Sequence, residues 1–376
     1  MNKRNIFLLC TIGFLQGMVF YAPVATLYRQ AAGIGIFEIT LIESISLALT
    51  ILLEIPWGIA ADRIGYRKTM LICCGLFFIS KIIFWQAEDF CAFQLERILL
   101  AVVCSGLSGV DTGMLYESCC QGNSRSVFGI YECLQQMGLL LAAAVTSLWV
   151  GSNYRMAGLL TVFSYGIAAI LAFFLQEIKS ANFRKVTLGA SWGVLSAQLK
   201  NRKLLFFLIG IALINETHQA ITVFLNQLHY TRIGMTVGMI SAAYIILSLA
   251  GLTGVFSSRL SDRMGEKQAG YGLSIGSFLC CIVLAVTRNI GISVAAVIGL
   301  RIFHSLMQPL QLEYQNRQLQ TEYRATALSM NAAFMSGIGV LLNLVFGYAA
   351  DADLTAAILM GAGMCLAGSI LYKKSI

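Results

Sequence analysis

Eight ionisable side chains fall within the long apolar stretches of this sequence: Glu43, Arg97, Asp111, Glu132, Glu216, His218, Arg301 and His304. Such groups cost roughly 2.5–3.5 kcal/mol each at the centre of a membrane helix, so they face inward and carry function as a rule. Their chemistry is proton exchange and the holding of polar or charged solutes. Asp111 follows Arg97 by fourteen positions. On one helix this puts them about 40° apart around the axis and about 21 Å apart along it, so they line one path without pairing. Glu132, Gln135 and Gln136 form a polar patch at i, i+3, i+4. Asn215, His218, Gln219, Thr222 and Asn226 form a stripe at helical spacing, with Glu216 beside it. Arg301, His304, Gln308 and Gln311 share a face. Glu43, Thr50 and Glu54 make a further stripe, with Glu43 toward the outer end and Glu54 toward a charged loop. Tyr21, Tyr244 and Asn331 are further lining candidates. Lys81 is expected to reach the headgroups along its flexible stem.

The elements that must position these groups follow from composition. Of 376 residues, 58% are hydrophobic and 12% charged, against about 25% charged in a soluble domain. Lipid is therefore the solvent. A span needs about 20 apolar residues. Twelve such spans occur, at roughly 6–28, 36–59, 69–86, 91–119, 126–149, 154–176, 203–228, 236–257, 270–287, 291–314, 325–349 and 354–372. They are too long and too continuously apolar for a transmembrane barrel. The first is retained as a span rather than a cleaved leader. With the N-terminus inside, nineteen Lys and Arg fall on the cytoplasmic side and four on the other, Arg29, Arg155, Arg232 and Arg288. Both termini are thus expected in the cytoplasm, with the basic groups against anionic lipid. The net charge of +8 needs no nucleic acid to explain it.

A basic linker at 177–202 separates two six-span halves, 1–176 and 203–376. Asp62 and Asp262, Arg97 and Arg301, and Arg125 and Arg324 recur at an offset of about two hundred positions, as in transporters built from parallel repeats. The expected fold is all-α, twelve helices in two pseudo-symmetric bundles. Glu117 and Arg125 are expected to pair at the end of the fourth span.

The stretch "GIAADRIGYRK" between spans two and three resembles the cytoplasmic loop signature of the major facilitator superfamily, through Gly58, Asp62, Arg63, Gly65, Arg67 and Lys68. A weaker copy holds Asp262, Arg263, Gly265 and Lys267, with Ser258 in place of the first glycine. Phrases such as "YAPVATLY" and "YRATALSM" resemble a bacterial branch of poorly characterised members. The resemblance covers the whole chain and implies two halves rocking about a central site. It implies that Asp62 with its basic neighbours latches the cytoplasmic face, where the bare physical reading is loop anchoring and topology. It also links Arg97 to proton coupling. Gly58 and Gly65 are expected where the chain turns. The helix-5 proline-glycine motif of antiporters is not recognisable here.

The expected function is secondary active transport of a small molecule across the cytoplasmic membrane by alternating access, coupled to protons. Efflux of a drug-like compound or metabolite, nutrient uptake by symport or uniport, and a sensor without flux stay open. Acidic groups outnumber basic ones among the buried candidates, which leans toward a cationic or neutral amphipathic substrate. Intramembrane catalysis has poor material in three dispersed histidines. No phosphate-binding glycine loop appears. The eleven cysteines lack structural-zinc spacing. No cofactor, metal or disulfide is expected, and the chain is expected to act as a monomer.

Overall fold

A computed structural model describes residues 2–108, 110–119, 124–151, 153–177, 201–318 and 324–375, by backbone alone at 55, 58–63, 124–126 and 324–326. Among the described residues twelve helices are long and apolar enough to cross a bilayer. They are α1 (Lys3–Ala31), α3 (Tyr66–Gln86), α4 (Phe90–Ser118), α5 (Val127–Val150), α6 (Tyr154–Ala172), α7 (Arg202–Arg232), α8 (Val237–Met264), α9 (Glu266–Val286), α10 (Ile290–Gln318), α11 (Ala327–Ala352) and α12 (Leu354–Ser375), together with α2 (Ile36–Ile64). The starts are chemically marked. Asp89 accepts from the Ala92 amide at the head of α4, Asn153 from Met156 at α6 and Asn201 from Leu204 at α7. Each satisfies an N–H that has no partner within its helix.

Large apolar residues stay on the outside, as lipid allows. Trp149 is 84% exposed, and Leu148, Val255 and Val286 are almost as open. Interiors combine small residues with leucine, isoleucine, methionine and a few rings. The chain divides into two compact units, counted over the described residues. One comprises Met1–Ile34, Ile45–Arg184 and Val237–Ile245; the other comprises Gly35–Ser44, Lys185–Thr236 and Ile246–Ile376. In the first, Leu9, Ile12, Met70, Met114, Leu115 and Tyr131 meet in one core. In the second, Phe207, Ile211, Leu273, Met307 and Tyr372 do the same. The first turn of α2 belongs to the second unit. There its Ile36 and Phe37 amides donate to Asp351, at 3.1 and 3.2 Å. The start of α8 belongs to the first, where the Ser147 hydroxyl donates to the Gly238 carbonyl at 3.0 Å.

Several spans are not continuous α-helix. Helix α1 opens after Gly17 and resumes at Ala25 through a short 3-10 turn. Bare backbone at this depth needs partners inside the protein. Phe20 has them: its N–H donates to Thr161 and its carbonyl accepts from Thr146. Helix α4 is interrupted at Ser108 and restarts at Val110. Helix α7 carries a π-helical stretch over Ala220–Leu225, and α8 tightens to 3-10 over Gly251–Phe256.

The turn between α2 and α3 rests on Gly65, at φ +91°, and the corresponding turn after α8 on Gly265, at φ +79°. Gly58 does not turn the chain, contrary to expectation: it lies inside the continuous helix Ile36–Ile64. The side chains of Asp62, Arg63, Arg125 and Arg324, and residues 178–200 of the linker, lie outside what is described.

Two helix crossings depend on glycine. A Cβ on Gly17 of α1 would stand 2.2 Å from the Gln135 carbonyl oxygen of α5, and one on Gly138 2.2 Å from the Phe14 oxygen. Gly210 and Gly368 make the same reciprocal approach between α7 and α12. Because the obstruction is backbone, no side-chain rotation relieves it. Gly138→Leu should therefore destabilise the fold by at least the roughly 1–3 kcal/mol of an overpacked site, read as a sharply lowered thermal midpoint of the purified protein in detergent. Gly363→Ala, where nothing lies within 4 Å, should leave the midpoint unchanged or slightly higher.

Candidate functional site

In the first unit the α4 interruption places Asp111 in the first turn of the short helix Val110–Ser118, where the amide dipoles favour an anion. Its Oδ1 accepts from the Thr112 N–H at 2.7 Å and its Oδ2 from the Tyr131 hydroxyl at 3.1 Å. The carboxylate borders a cavity of about 330 Å3, whose walls include Gln16, Phe77, Tyr131, Gln135, Gln136 and Tyr165. Three amides, one carboxylate and three rings converge there. This is the small set of oriented polar groups in an aromatic surround that ligand sites use. The broken stretch of α1 helps to build it. The Gln16 carbonyl accepts from the Tyr165 hydroxyl at 2.6 Å, and the Gln16 amide reaches the Cys74 sulfur at 3.5 Å.

Behind two of those rings lies a second polar cluster. Lys81, 3% exposed, does not reach the headgroups, contrary to expectation. Its Nζ lies 2.9 Å from the Tyr21 hydroxyl and 3.2 Å from Glu96 Oε1. It sits 5.2–5.6 Å from the ring centres of Tyr21, Phe77 and Tyr165, close enough for cation–π attraction. Glu96 is 1% exposed, and its Oε2 faces Arg97 Nε at 3.6 Å. Arg97 is thus tied to the residue before it, while Asp111 lies beyond the break in their helix. The straight-helix spacing expected between them does not hold. Arg29, expected at the outer surface, is 1% exposed. Its guanidinium lies 5.7 and 6.0 Å from the Phe84 and Phe93 ring centres.

In the second unit the polar stripes of α7 and α10 do meet. Asn215 Nδ2 donates to Gln311 Oε1 at 3.2 Å. One turn on, the His218 and His304 rings stack with centroids 3.7 Å apart and planes within 3°. Two positive charges at that separation would repel by roughly 4 kcal/mol at an effective dielectric of about 20. Arg301 packs against α8, where a Cβ on Gly251 would meet its Nη2 at 2.8 Å. Glu216 turns aside to α11: a Cβ on Gly339 would meet its Oε1 at 2.6 Å. Gln219, Glu132 and Gln136 are exposed, and of these only Gln136 lines the first-unit cavity. Glu43 is half-buried on the part of α2 that belongs to the second unit. Of the loop-signature copies, Arg67 donates to the Phe173 carbonyl at 3.2 Å, whereas Lys68, Asp262 and Arg263 are exposed.

Residue spacing alone missed Glu96, Tyr131, Gln16, Phe77 and Tyr165. Glu96 had a signal, because it precedes Arg97 directly and lies fifteen positions from Lys81 on the adjacent span. The aromatic residues had none, since rings in spans mostly pack.

Twelve apolar helices in two units, with ionisable groups paired inside each, define a multi-pass membrane protein of the helical-bundle type. The chain belongs to the Major Facilitator Superfamily, whose model matches residues 7–344. The "Uncharacterized MFS-type transporter MJ1560" of Methanocaldococcus jannaschii is 24% identical over 93% of this chain and 92% of its own. The "Quinolone resistance protein NorA" of Staphylococcus aureus (strain MRSA252) is 24% identical over 50% of this chain, a match that takes in about half (49%) of NorA. Among solved structures, the nucleoside transporter NupG superposes with a TM-score of 0.82 at 16% identity, covering 100% of this chain and 99% of its own. A bacterial homologue of the human lysosomal transporter Spinster gives 0.73 at 14%, covering 99% and 94%. These structural likenesses concern the fold.

The buried Lys81–Glu96 pair makes a stability prediction. Glu96→Gln alone should cost about 3–5 kcal/mol, since it strands the buried Lys81 ammonium, whereas Lys81→Met should cost less, because Glu96 keeps Arg97 at 3.6 Å. The double substitution should cost clearly less than the sum. Denaturation of the three variants beside the parent protein measures this coupling.

Proposed function

We propose that this chain is a proton-coupled secondary transporter that expels a small amphipathic molecule, cationic or neutral, across the cytoplasmic membrane by alternating access. The observation that carries the reading is the Asp111 carboxylate, held by Tyr131 at the wall of a cavity lined by amides and rings. A proton arriving on Asp111 removes the charge that Tyr131 and the helix start hold in place. A substrate cation supplies the compensating charge instead. Competition of proton and substrate for one carboxylate is sufficient to couple their movements. The half-length likeness to a quinolone resistance protein supports export. The remaining polar residues on the path are Glu43, Arg97, Glu132, Asn215, Glu216, His218, Gln219, Arg301 and His304. Both termini lie in the cytoplasm on this reading, because nineteen of the basic residues gather on that side. The protein works as a monomer in the cell membrane.

Asp62, with Arg63, Gly65, Arg67 and Lys68, acts as the cytoplasmic latch, and Asp262 with Arg263 as its weaker counterpart. The exposed position of Arg67 and Lys68 beside the Gly65 turn suits groups that exchange partners when that face opens.

The test is flux in proteoliposomes with an imposed pH gradient, using a radiolabelled quinolone and a radiolabelled nucleoside as probes. Gradient-driven quinolone movement that Asp111→Asn abolishes, with its thermal midpoint unchanged, supports the reading. Movement indifferent to the gradient, or of the nucleoside alone, overturns proton-driven export. Asp62→Asn should slow transport at least tenfold while leaving expression and probe binding intact. An unchanged rate would show that this loop merely anchors the chain.

A further inference from the structure

The chain contains three histidines, and two of them make a face-to-face pair. His218 comes from α7 and His304 from α10, with ring centroids 3.7 Å apart and planes within 3°. The hydrogen bonds around the pair differ at its two ends. The Thr222 hydroxyl donates to the His218 carbonyl at 2.8 Å. Its proton is therefore committed, and toward His218 Nε2, 3.5 Å away, it presents a lone pair. That end of the pair meets an acceptor. At the other end His304 Nε2 lies 2.9 Å from the Gln308 side-chain amide. An amide offers an N–H on one side and a carbonyl on the other. Gln308 donates to a neutral ring, and after a half-turn it accepts from a protonated one.

Two charged groups lie within a turn of the pair on its own two helices. They are Arg301, one turn before His304, and Glu216, which is directed to α11 at Gly339. The other helices packed on α7 and α10 carry their charges in end turns: Arg259, Asp262 and Arg263 on α8, Glu266 and Lys267 on α9, Asp351 on α11, and Lys373 and Lys374 on α12. Neither ring is ion-paired to a carboxylate among the described contacts.

Stacked imidazoles at this distance tolerate one positive charge, because the neutral ring's face attracts its charged neighbour. Two charges repel across the stack. The backbone on either side is suited to separation. The π-helical stretch of α7 begins two residues after His218, and Pro309 interrupts the hydrogen-bond ladder of α10 five residues after His304. Such irregularities are where helices bend.

We propose that His218 and His304 together form a single proton-binding site in the second unit, one that takes one proton while the rings are stacked and takes a second only if they part. Its consequence for transport rests on the proton-coupled reading above. It gives the second unit its own proton site, distinct from Asp111 in the first.

The experiment uses the full chain in lipid nanodiscs with nitrogen-15 in its histidines. Imidazole resonances are followed from about pH 8 to about pH 3, a range that brackets the titration of free imidazole and extends to its acid side. His229, whose Nε2 meets Ser293 Oγ at 3.0 Å, serves as internal reference. The expected result is that His218 and His304 change together and gain one proton in total. In His304→Asn or His218→Asn the remaining ring should titrate alone, over a different pH interval. Two independent transitions that sum to two protons and are unaffected by either substitution would overturn the proposal. So would the absence of any change in both rings over the range. The parent protein's titration suffices even if a variant fails to fold. Failure of all flux in proteoliposomes, with this titration as expected, would remove the transporter reading and leave the proton site standing.

Discussion

A polar atom inside a bilayer has no water to fall back on, and this constraint organises the whole chain. Where α1 loses its helical ladder, Thr161 and Thr146 take over the orphaned groups of Phe20. Tyr21, next along the same break, turns its hydroxyl to Lys81. Lys81 is in turn neutralised by Glu96, and Glu96 faces Arg97. Thus a backbone defect in one span and a charge in another are solved by one connected network. Its outer rings, Phe77 and Tyr165, are also walls of the cavity beside Asp111. The site and its support share side chains.

The two units meet the same requirement with different chemistry. In the first, opposite charges compensate each other. In the second, amides and a stacked ring pair do the work: Asn215 with Gln311, and two imidazoles with Thr222 and Gln308. The duplication visible in Asp62 and Asp262 extends to the turn glycines Gly65 and Gly265, which share a left-handed backbone. It does not extend inward. By the same offsets the counterparts of Lys81 and Glu96 are Cys281 and Leu300.

The spans were legible because lipid imposes a length and a polarity that few other environments share. The polar stripe of α7 was legible in part, since Asn215 and His218 follow α-helical phase and share one face; that this face meets α10 was not. The same argument weakens beyond Ala220, where the π-helical stretch shifts the register of Asn226. The path through Arg97 and Asp111 assumed a straight helix, and the interruption at Ser108 removed that assumption. Lys81 was misplaced because a lone lysine in an apolar run looks like a snorkelling one. Only a three-dimensional neighbour distinguishes the two cases, and the neighbour was an overlooked glutamate beside a better-known arginine. Spacing along one helix carries the direction of a side chain; it carries nothing about what the next helix brings to meet it.

The shortness of the Lys81–Glu96 connection has a consequence for biogenesis. The two charges lie on consecutive spans joined by the three residues 87–89, so they need no other part of the bundle to find each other. A hairpin of α3 and α4 can enter the membrane with this pair of charges already cancelled, and so avoid the separate insertion penalties of a bare lysine and a bare glutamate.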